Sequence, residues 1–302
     1  MKVLISGGTG LVGSEIIRRL LERGDEVYNL TTRKNYPSTQ KGLTHIYWNP
    51  EQGMFNSSIL ENVDAIINLA GFNVANRWTE QNKKKIVDSR MHSTKLLVDG
   101  CLKATHAPKI FISTGASGYY SSSFHLQDET ASAGQGFLAD LSEQWERVLQ
   151  PLKSMPIRSV ILRVGVVMDK KDGAVAKMVP FFNLGLGSAT GSGKQWMSWI
   201  HLHDLANMYL FALDQPNLEG VYNAVAPAPV TNAAYSKALA HALNRPFFLP
   251  AIPEFALKLL FGEMSSMLLN SQNISSKKIQ EAGFKFQYKT IDSALQQLFE
   301  KK

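Results

Sequence analysis

The chain has few of the features that mark disulfide-bonded, membrane or secreted proteins. It contains one cysteine, Cys101, which excludes an internal disulfide and suits a reducing compartment, so we expect a cytoplasmic protein. Cys101 stands in an apolar stripe at helical spacing, where we expect a core residue rather than a reactive thiol. No apolar run approaches the ~20 residues that cross a bilayer, so we expect no membrane association. The chain starts with a predicted strand, and we therefore expect no cleaved signal peptide.

Basic residues outnumber acidic ones without forming a nucleic-acid signature. Lys and Arg number 32 against 25 Asp and Glu, which gives a net charge of +7. They are spread along the chain apart from a short cluster at residues 83–85, for which a solvated helix face is the usual explanation. No RNA- or DNA-binding motif accompanies them, so we expect no nucleic-acid partner. A basic balance also suits a ligand that carries several phosphates.

A glycine-rich turn stands between a predicted strand and a predicted helix at the start of the chain. The apolar run at residues 1–5 leads to Gly7, Gly10 and Gly13, and residues 14–21 follow with helical spacing. Glycines let the backbone turn tightly and approach a pyrophosphate, and the free N–H groups at a helix start point at it. We therefore predict a dinucleotide site, with a turn that only reverses the chain as the alternative.

Strands alternate with helices through the first two-thirds of the chain. The predicted strands lie at residues 1–5, 26–31, 63–71, 109–114 and 159–164, and a further helix lies at residues 137–149. Apolar strands separated by helices indicate a parallel sheet covered on both faces. Strand ends at Gly71, Gly115 and Gly165 should line one crevice, which is the usual ligand site of such a sheet. We predict an α/β fold with a Rossmann-type doubly wound parallel sheet.

Glycines and prolines after residue 168 indicate a smaller second lobe over this crevice. Residues 183–193 form a glycine-rich connection, and prolines with short helices follow residue 226. We expect residues 200–222 to return to the sheet. The predicted division is a Rossmann domain at residues 1–168 plus 193–226 and a small C-terminal α/β lobe at residues 169–192 plus 227–302.

The residues after the second predicted strand favour NADP(H) over NAD(H). A carboxylate at this position binds the ribose hydroxyls of NAD, whereas an Arg accommodates the 2′-phosphate of NADP. Here the strand is followed by Thr32, Arg33 and Lys34, with no acid. Arg33 can hold a phosphate through paired, charge-assisted hydrogen bonds. The alternative is that Arg33 and Lys34 are ordinary loop cations.

With these residues in place, the chain resembles the extended short-chain dehydrogenase/reductases, and within them the atypical epimerase-family proteins described as NAD-dependent epimerase/dehydratase-like. The resemblance covers essentially the whole chain. The stretches that carry it are Gly7 to Gly13, Asn68-Leu69-Ala70-Gly71, Arg77-Trp78-Thr79, Ser89-Arg90, Gly118-Tyr119-Tyr120, Phe137-Leu138-Ala139, Gly191-Ser192-Gly193-Lys194-Gln195, Ser198-Trp199-Ile200-His201-Leu202-His203-Asp204-Leu205, Asn223-Ala224-Val225-Ala226-Pro227, Gly262-Glu263 and Ala282-Gly283-Phe284. The resemblance implies NADP(H) binding, a Rossmann core and a small C-terminal domain of unknown function.

The resemblance also extends the predicted cofactor site to the helix after the Asn68 to Gly71 turn. It implies that Arg90, and with less support Lys85, contact the cofactor. The alternatives are a structural ion pair for Arg90 and a solvated cation for Lys85. The full set of predicted cofactor-binding residues is Gly7, Thr9, Gly10, Leu11, Val12, Gly13, Thr32, Arg33, Leu69, Ala70, Gly71, Lys85, Arg90 and Val166.

The catalytic pair of the resembled superfamily is missing from this chain. Conventional members use Tyr-x-x-x-Lys beside a Ser or Thr, because a cationic Lys lowers the pKa of the tyrosine. None of the nine tyrosines here has Lys four residues later, and none lies between Tyr120 and Tyr209. The helix that should carry the pair offers Phe137 and Leu141 instead. The sequence therefore identifies no catalytic residue.

Five side chains are candidates for the substrate pocket, namely Thr114, Tyr119, Tyr120, Arg77 and His201. One of the two tyrosines could act as an acid, or both could form the pocket wall. Arg77 could meet an anionic group while Trp78 stacks on a ring, or both could lie in a surface loop.

Two histidines could supply half of a metal site. His201 and His203 stand two apart on a predicted strand and would point the same way. No third ligand of suitable spacing follows, and a structural histidine that bonds a neighbouring loop is the favoured interpretation. We therefore predict no metal.

Three functions stay open on the sequence. The first is an NADP(H)-dependent oxidoreductase or epimerase that acts on an unidentified small molecule with non-standard acid and base residues. The second is a cofactor-binding protein without turnover, which senses NADPH or regulates a partner, for example in cell division. The third is a nucleotide-sugar epimerase, against which the missing Tyr and Lys argue. We rank the first highest because hydride transfer itself needs only orientation of cofactor and substrate. The oligomeric state is left open.

Overall fold

The structure, a computed structural model, describes residues 1–38 and 40–300. Its strands are β1 Lys2–Ser6, β2 Glu26–Thr31, β3 Leu43–Tyr47, β4 Ala65–Asn68, β5 Ile110–Ala116, β6 Ser123–Gln127, β7 Arg158–Val164, β8 Val166–Met168, β9 Trp196–Met197, β10 Trp199–His201, β11 Gly220–Ala224, β12 Val230–Thr231 and β13 Gln272–Ile274. Its α-helices are α1 Leu11–Glu22, α2 Glu80–Lys103, α3 Phe137–Arg147, α4 Gly173–Asn183, α5 Leu202–Asp214, α6 Asn232–Ala242, α7 Glu254–Phe261, α8 Ser266–Leu269, α9 Lys277–Glu281 and α10 Ile291–Phe299.

A seven-stranded parallel sheet forms the centre of the molecule. Its strand order is β3-β2-β1-β4-β5-β7-β11, so the chain winds outward in both directions from the pair β1 and β4. Helices α1 and α5 pack on one face, and α2 packs on the other. This arrangement confirms the predicted doubly wound Rossmann-type sheet. Its carboxyl edge beside β1 and β4 is where ligands bind in folds of this type.

Apolar side chains at helical spacing fix α1 against the sheet. Ile16, Ile17 and Leu20 are buried against Val3 and Ile5 of β1. Each such side chain contributes about 1.5–3 kcal/mol when fully buried. The helix begins at Leu11, directly after the glycine turn, rather than at residue 14. Its first turn therefore lies at the carboxyl edge of the sheet.

The chain beyond β7 builds a second layer that shares the main core. Buried residues of α4, α6 and α10 pack around Trp199 in a cluster of their own. Ile279 and Phe284, however, pack into the core of the large sheet beside Tyr209 of α5. Strand β11 returns to the sheet as an edge strand next to β7. The division into two domains stays a prediction.

The predicted strand through His201 and His203 is wrong beyond His201. Strand β10 ends at His201, and α5 begins at the next residue. The His201 Nδ1 accepts a hydrogen bond of 3.1 Å from the His203 backbone N–H and so caps the helix. Leu202, Leu205 and Tyr209 recur at helical spacing and are buried, which favours a helix over an alternating strand. The two imidazoles therefore do not point from one strand face.

No described helix is long and apolar enough to cross a membrane. Within residues 1–38 and 40–300, no group of three or more His, Cys, Asp or Glu side chains is placed to hold a metal ion.

Candidate functional site

Gly7, Gly8 and Gly13 of the turn between β1 and α1 stand where the protein has no room for a side chain. Gly7 has φ +72°, in the left-handed region that favours glycine. A Cβ on Gly8 would lie 2.3 Å from Asn29 Oδ1, and one on Gly13 would lie 2.3 Å from the Gly7 carbonyl oxygen. The Gly10 N–H donates to that same carbonyl oxygen at 3.1 Å and closes the turn. These glycines therefore let the turn pack closely against β2 and α1.

The start of α1 carries no negative charge of its own. Gly10 caps the helix without a side-chain acceptor, and the first turn contains no acid. Thr9 and Gly10 are exposed, and Leu11 and Val12 are half-buried. The first N–H groups of a helix lack intrahelical partners and act as a partial positive charge. Thr9, Leu11, Val12 and Gly13 therefore present donors to an anion such as a pyrophosphate, whereas the Gly10 N–H is used within the turn.

Two cations follow the end of β2. The Arg33 backbone N–H donates to Thr31 Oγ1 at 3.1 Å, which sets the course of the loop. The Arg33 guanidinium carbon lies 5.3 Å from the centroid of the Tyr36 ring, and Lys34 Nζ lies 5.6 Å from that of Tyr47. In the described part of the chain neither cation pairs with a carboxylate, and Thr32 beside them is exposed. The loop is electrostatically suited to a phosphate.

A hydroxyl in β1 holds the turn that follows β4. Ser6 Oγ donates to Asn68 Oδ1 at 2.6 Å and accepts from the backbone N–H groups of Leu69 and Ala70, both at 3.2 Å. The Asn68 side chain in turn donates to Thr94 Oγ1 of α2 at 2.8 Å. Ser6 is not among the residues predicted for the site, although a polar residue at the end of an apolar strand is a signal for such a contact. The predicted cofactor residues at this turn are thereby fixed beside the glycine turn.

Arg90 of α2 carries a positive charge with no carboxylate partner among the described residues. Its guanidinium donates to the carbonyl oxygens of Phe72 at 3.0 Å and Ile86 at 3.1 Å, and lies 5.2 Å from the Trp145 ring. Burial lowers its pKa to about 10. A Cβ on Gly71 would lie 3.0 Å from its guanidinium carbon. The structure thus gives Arg90 carbonyl partners rather than an ion pair.

The other predicted cofactor residues differ in their surroundings. Lys85 is exposed on the first turns of α2, with Nζ 6.0 Å from the Phe72 ring. Val166 is half-buried in β8, where it pairs with Trp199 of β10. Cofactor contact by these two residues stays a prediction.

Thr114 is tied into the sheet by two hydrogen bonds. Its Oγ1 donates to the Asn68 carbonyl oxygen at 3.0 Å and shares a hydrogen bond of 2.6 Å with the Tyr209 hydroxyl. Burial raises the pKa of Tyr209, which is fully enclosed in the core. Thr114 therefore connects β4 to α5, and a role in the substrate pocket stays a prediction.

A buried guanidinium organises the two tyrosines that follow β5. Arg163 of β7 is 3% exposed and makes two hydrogen bonds of 2.8 Å to the Glu146 carboxylate. It also donates to the Tyr120 hydroxyl at 2.9 Å, and that hydroxyl donates to Asn223 Oδ1 at 2.7 Å. The Tyr119 ring centroid lies 3.4 Å from the guanidinium carbon. Neither Arg163 nor Glu146 is among the residues predicted for the site. Arg163 stands among the apolar residues of β7, and Glu146 stands on the polar face of α3.

The two tyrosines differ in what their hydroxyls do. The hydroxyl of Tyr120 is buried and has two protein partners, and burial raises its pKa in spite of the nearby Arg163. Tyr119 is half-buried, and its hydroxyl makes no hydrogen bond within the described residues. Tyr119 is therefore the member of the pair that is available to a ligand.

His201 uses both ring nitrogens inside the protein. In addition to capping α5, its Nε2 lies 3.0 Å from Gln297 Oε1 of α10, and its ring stacks at 3.9 Å on Tyr288. Burial lowers its pKa to about 4. These contacts agree with the favoured structural interpretation, and a role in the substrate pocket stays a prediction.

An open cavity of about 660 Å³ lies beyond the carboxyl ends of β4 and β5. Trp78, which precedes α2, and Phe137, which opens α3, meet there edge-to-face with ring centroids 5.0 Å apart. Residues 254–270 of the C-terminal segment form the remaining wall. Arg77 is exposed next to Trp78. The cavity thus opens at the sheet edge to which the glycine turn also belongs.

The fold and the glycine turn define a Rossmann-type protein of the short-chain dehydrogenase/reductase architecture. A model of the NAD dependent epimerase/dehydratase family matches residues 3–137, and a domain of unknown function (DUF1731) matches residues 252–298. An epimerase family protein of Mycobacterium bovis is 39% identical over 97% of this chain and 96% of its own length. The epimerase family protein YfhF of Bacillus subtilis is 34% identical over 99% of this chain and 98% of its own. The chain belongs to the epimerase family.

Two solved structures place this fold among known ones. The human epimerase family protein SDR39U1 (isoform 2), solved with NADPH, is 33% identical with a TM-score of 0.89, over 99% of each chain. The UDP-glucuronic acid 4-epimerase of Bacillus cereus, solved with UDP-glucuronic acid and NAD, is 15% identical with a TM-score of 0.80, over 99% of this chain and 98% of that one. The second likeness shows the fold alone.

Proposed function

We propose that this chain binds NADP(H) at the carboxyl edge of its sheet and acts as an oxidoreductase or epimerase on a small molecule. The observation that carries the proposal is the pair Arg33 and Lys34, which stand where NAD-specific folds have an acid and pair with no carboxylate among the described residues. The human relative solved with NADPH, which is similar to the whole chain, supports the same cofactor.

Residues at the carboxyl edge of the sheet suit the phosphate groups of NADP(H). Gly8 and Gly13 let the turn pack closely on the protein's own atoms, and the N–H groups that open α1 would hold the pyrophosphate. Arg33 would hold the 2′-phosphate. Arg90, with its charge unmatched by a carboxylate in the described ranges, would add a further positive field. The bound cofactor would supply a hydride donor or acceptor at its nicotinamide ring.

Tyr119 is our candidate for the group that holds or moves a proton at the reacting atom. The α3 positions that carry tyrosine and lysine in conventional relatives are Phe137 and Leu141 here, and neither can exchange a proton. Tyr119 follows β5, is half-buried and has a hydroxyl without a partner in the described residues. Its stacking on Arg163 fixes the ring, so that the hydroxyl has a defined position.

A cofactor titration tests the first part of the proposal. We expect wild type to bind NADPH at micromolar concentration and NADH much more weakly. Arg33→Ala should weaken NADPH binding by about 1–3 kcal/mol, because it removes a charge-assisted contact, and should leave NADH binding unchanged. Arg245→Ala removes an exposed arginine from the end of α6 and is the matched control. Equal losses in both variants, or no binding of either cofactor, would contradict the proposal.

A protein that binds NADPH without turnover is the second candidate. It is favoured by Phe137 and by the buried Leu141, which occupy the positions of the conventional catalytic pair. A panel of carbonyl compounds separates the two functions. Oxidation of bound NADPH by a member of the panel supports the enzyme, and its loss in Tyr119→Phe with unchanged NADPH affinity supports the proton role. NADPH that persists across the panel supports the second candidate.

A further inference from the structure

The cavity beyond β4 and β5 has an aromatic corner that the cofactor site does not use. Resting on the proposed function, we infer that this cavity binds a neutral aromatic carbonyl compound as the substrate class, and not a nucleoside diphosphate derivative. The corner consists of Trp78 and Phe137, with their ring planes at 67°. Two rings at this angle leave faces on which a third ring can stack or meet an edge.

The aromatic corner is held in place by the protein itself. Trp78 Nε1 donates to the Val74 carbonyl oxygen at 2.9 Å, so the indole N–H is used inside the protein. Lys83 Nζ lies 5.7 Å from the Phe137 ring centroid and pairs with Glu263 of the C-terminal segment. The rings are thus positioned before a ligand arrives, which reduces the entropy cost of binding.

The charges in the cavity wall are unsuited to a diphosphate. The lining contains two carboxylates, Glu254 and Glu263, and one ammonium group, Lys258. Glu254 pairs with Lys258 at 2.6 Å, and Glu263 pairs with Lys83. Each cation of this lining is therefore matched by a carboxylate, and the lining itself has no net positive charge to hold a phosphate group. Arg77 is exposed next to Trp78 but is outside the lining.

One side chain of the lining keeps a free hydrogen-bond donor. The hydroxyls of Ser265 and Ser266 donate to the backbone oxygens of Gly262 and Glu263 at 2.6 and 2.8 Å. The Asn270 side chain makes no hydrogen bond within the described residues and is exposed to the cavity. One amide donor beside two aromatic rings matches a ligand with an aromatic body and a single carbonyl oxygen.

Calorimetric titration of the NADPH-loaded protein tests this substrate class. The probes are acetylnaphthalene, its saturated counterpart acetyldecahydronaphthalene, and UDP-glucose. We expect acetylnaphthalene to bind below millimolar concentration, and the other two to bind at least about tenfold more weakly. Tighter binding of UDP-glucose than of acetylnaphthalene would overturn the inference.

Variants of the aromatic corner show whether the probe binds there. Trp78→Leu should weaken acetylnaphthalene binding by about tenfold, whereas Trp78→Phe retains a ring and should retain most of the affinity. Phe255→Leu is the matched control, since Phe255 is 73% exposed on α7 and outside the lining. NADPH affinity should be equal in all of them. Unchanged probe binding in Trp78→Leu would overturn the inference.

Removing the two carboxylates tests the charge argument. Glu254→Gln combined with Glu263→Gln leaves Lys258 unmatched and Lys83 with only the longer contact to Glu80 at 3.4 Å. UDP-glucose affinity should therefore rise by about tenfold while acetylnaphthalene affinity stays the same. No gain for UDP-glucose would overturn the charge argument. The cofactor titration and the probe titration are separate experiments, so failure of the proposed function can be told apart from failure of this inference. A protein that binds acetylnaphthalene but not NADPH would refute the proposed function.

Discussion

Arg163 brings a full positive charge into the interior of the protein. Its guanidinium is matched by the Glu146 carboxylate on α3 and by the Tyr120 hydroxyl, and hydrogen bonding to the carboxylate raises its pKa against the effect of burial. Such a pair adds little net stability over an apolar pair, but either charge alone in the interior is costly. The pair therefore fixes the geometry of Tyr119 and Tyr120.

Breaking this buried pair should destabilise the protein strongly. We expect Arg163→Met and Glu146→Gln each to lower the free energy of unfolding by about 3–5 kcal/mol, because each leaves the partner unmatched. The double variant should cost much less than the sum. Urea unfolding of the four proteins gives the coupling energy, and additive losses would show that the two side chains act independently.

The glycine turn gives a second prediction at single-residue scale. A Cβ at Gly13 would lie 2.3 Å from the Gly7 carbonyl oxygen, so Gly13→Ala should lower stability by about 1–3 kcal/mol through overpacking. At Gly10 the Cβ would lie 3.4 Å from that same oxygen, an ordinary contact, and φ is −80°. Gly10→Ala is therefore the matched control for melting temperature. Equal melting temperatures in both variants would contradict the steric argument.

Some of these residues could be predicted from the sequence, and others could not. Gly13 and Arg33 stand at fixed offsets from predicted strands, so their place in the site could be predicted. Arg163 stands in the apolar run of β7, and its partner Glu146 stands on α3. Only the packing of α3 against the sheet brings the two together. Pairings of this kind depend on three-dimensional contacts that spacing along the chain does not encode.

At the scale of elements, helix α5 depends on a neutral imidazole at its start. Nδ1 of His201 must be unprotonated to accept from the His203 N–H, and the ring is also packed on Tyr288. Burial is the main cause that lowers the His201 pKa to about 4, with His203 and Arg19 adding repulsion and Glu15 opposing it. The β10–α5 junction is therefore sensitive to acid.

Stability should fall as the pH is lowered through the window set by His201. Between pH about 6.5 and about 4, the unfolded chain binds a proton at His201 that the folded protein does not bind. The free energy of unfolding therefore has its full value above this window. It falls as the pH is lowered through the window, by about 3 kcal/mol at most. His201→Asn keeps a cap acceptor without the titration and should flatten this loss. Urea unfolding across the window, with the exposed His125→Asn as control, checks it. An unchanged pH slope in His201→Asn would contradict the assignment.

Elements with a strong apolar pattern could be predicted, and those with mixed patterns could not. Strand β2 has the predicted bounds, and β1, β5 and β7 lie within two residues of theirs. Strand β3 carries no strand signal in the sequence because it mixes polar and apolar residues without alternation, and as an edge strand it is only half-buried. The start of α5 was misassigned because its cap is a histidine, which is not among the usual cap residues.

At the scale of the whole molecule, the C-terminal segment belongs to the main core. Ile279 and Phe284 are buried with Tyr209 and Leu205 of α5 against the large sheet. Phe284 also meets Phe211 of α5 with ring centroids 5.5 Å apart. Part of the apolar surface of this core is therefore buried only when Ile279 and Phe284 are packed against α5.

One cooperative unfolding transition should result from this shared core. We expect the same midpoint from near-ultraviolet and far-ultraviolet circular dichroism in urea, since the two layers cannot lose contact separately. A chain that ends at residue 226 should expose the α5 surface and fail to give a cooperative transition. Two separate transitions in the full chain would show that the layers are independent folding units.

The buried thiol of Cys101 makes it possible to label the cavity wall at one introduced cysteine. It is fully buried, burial raises its pKa to about 12, and the chain has no second cysteine. Since the thiolate is the species that reacts, the natural thiol should stay unlabelled by maleimide dyes. A cysteine introduced at Glu254 would then be the single attachment point for a fluorophore, whose signal reports directly on residues 254–270 without any background to remove.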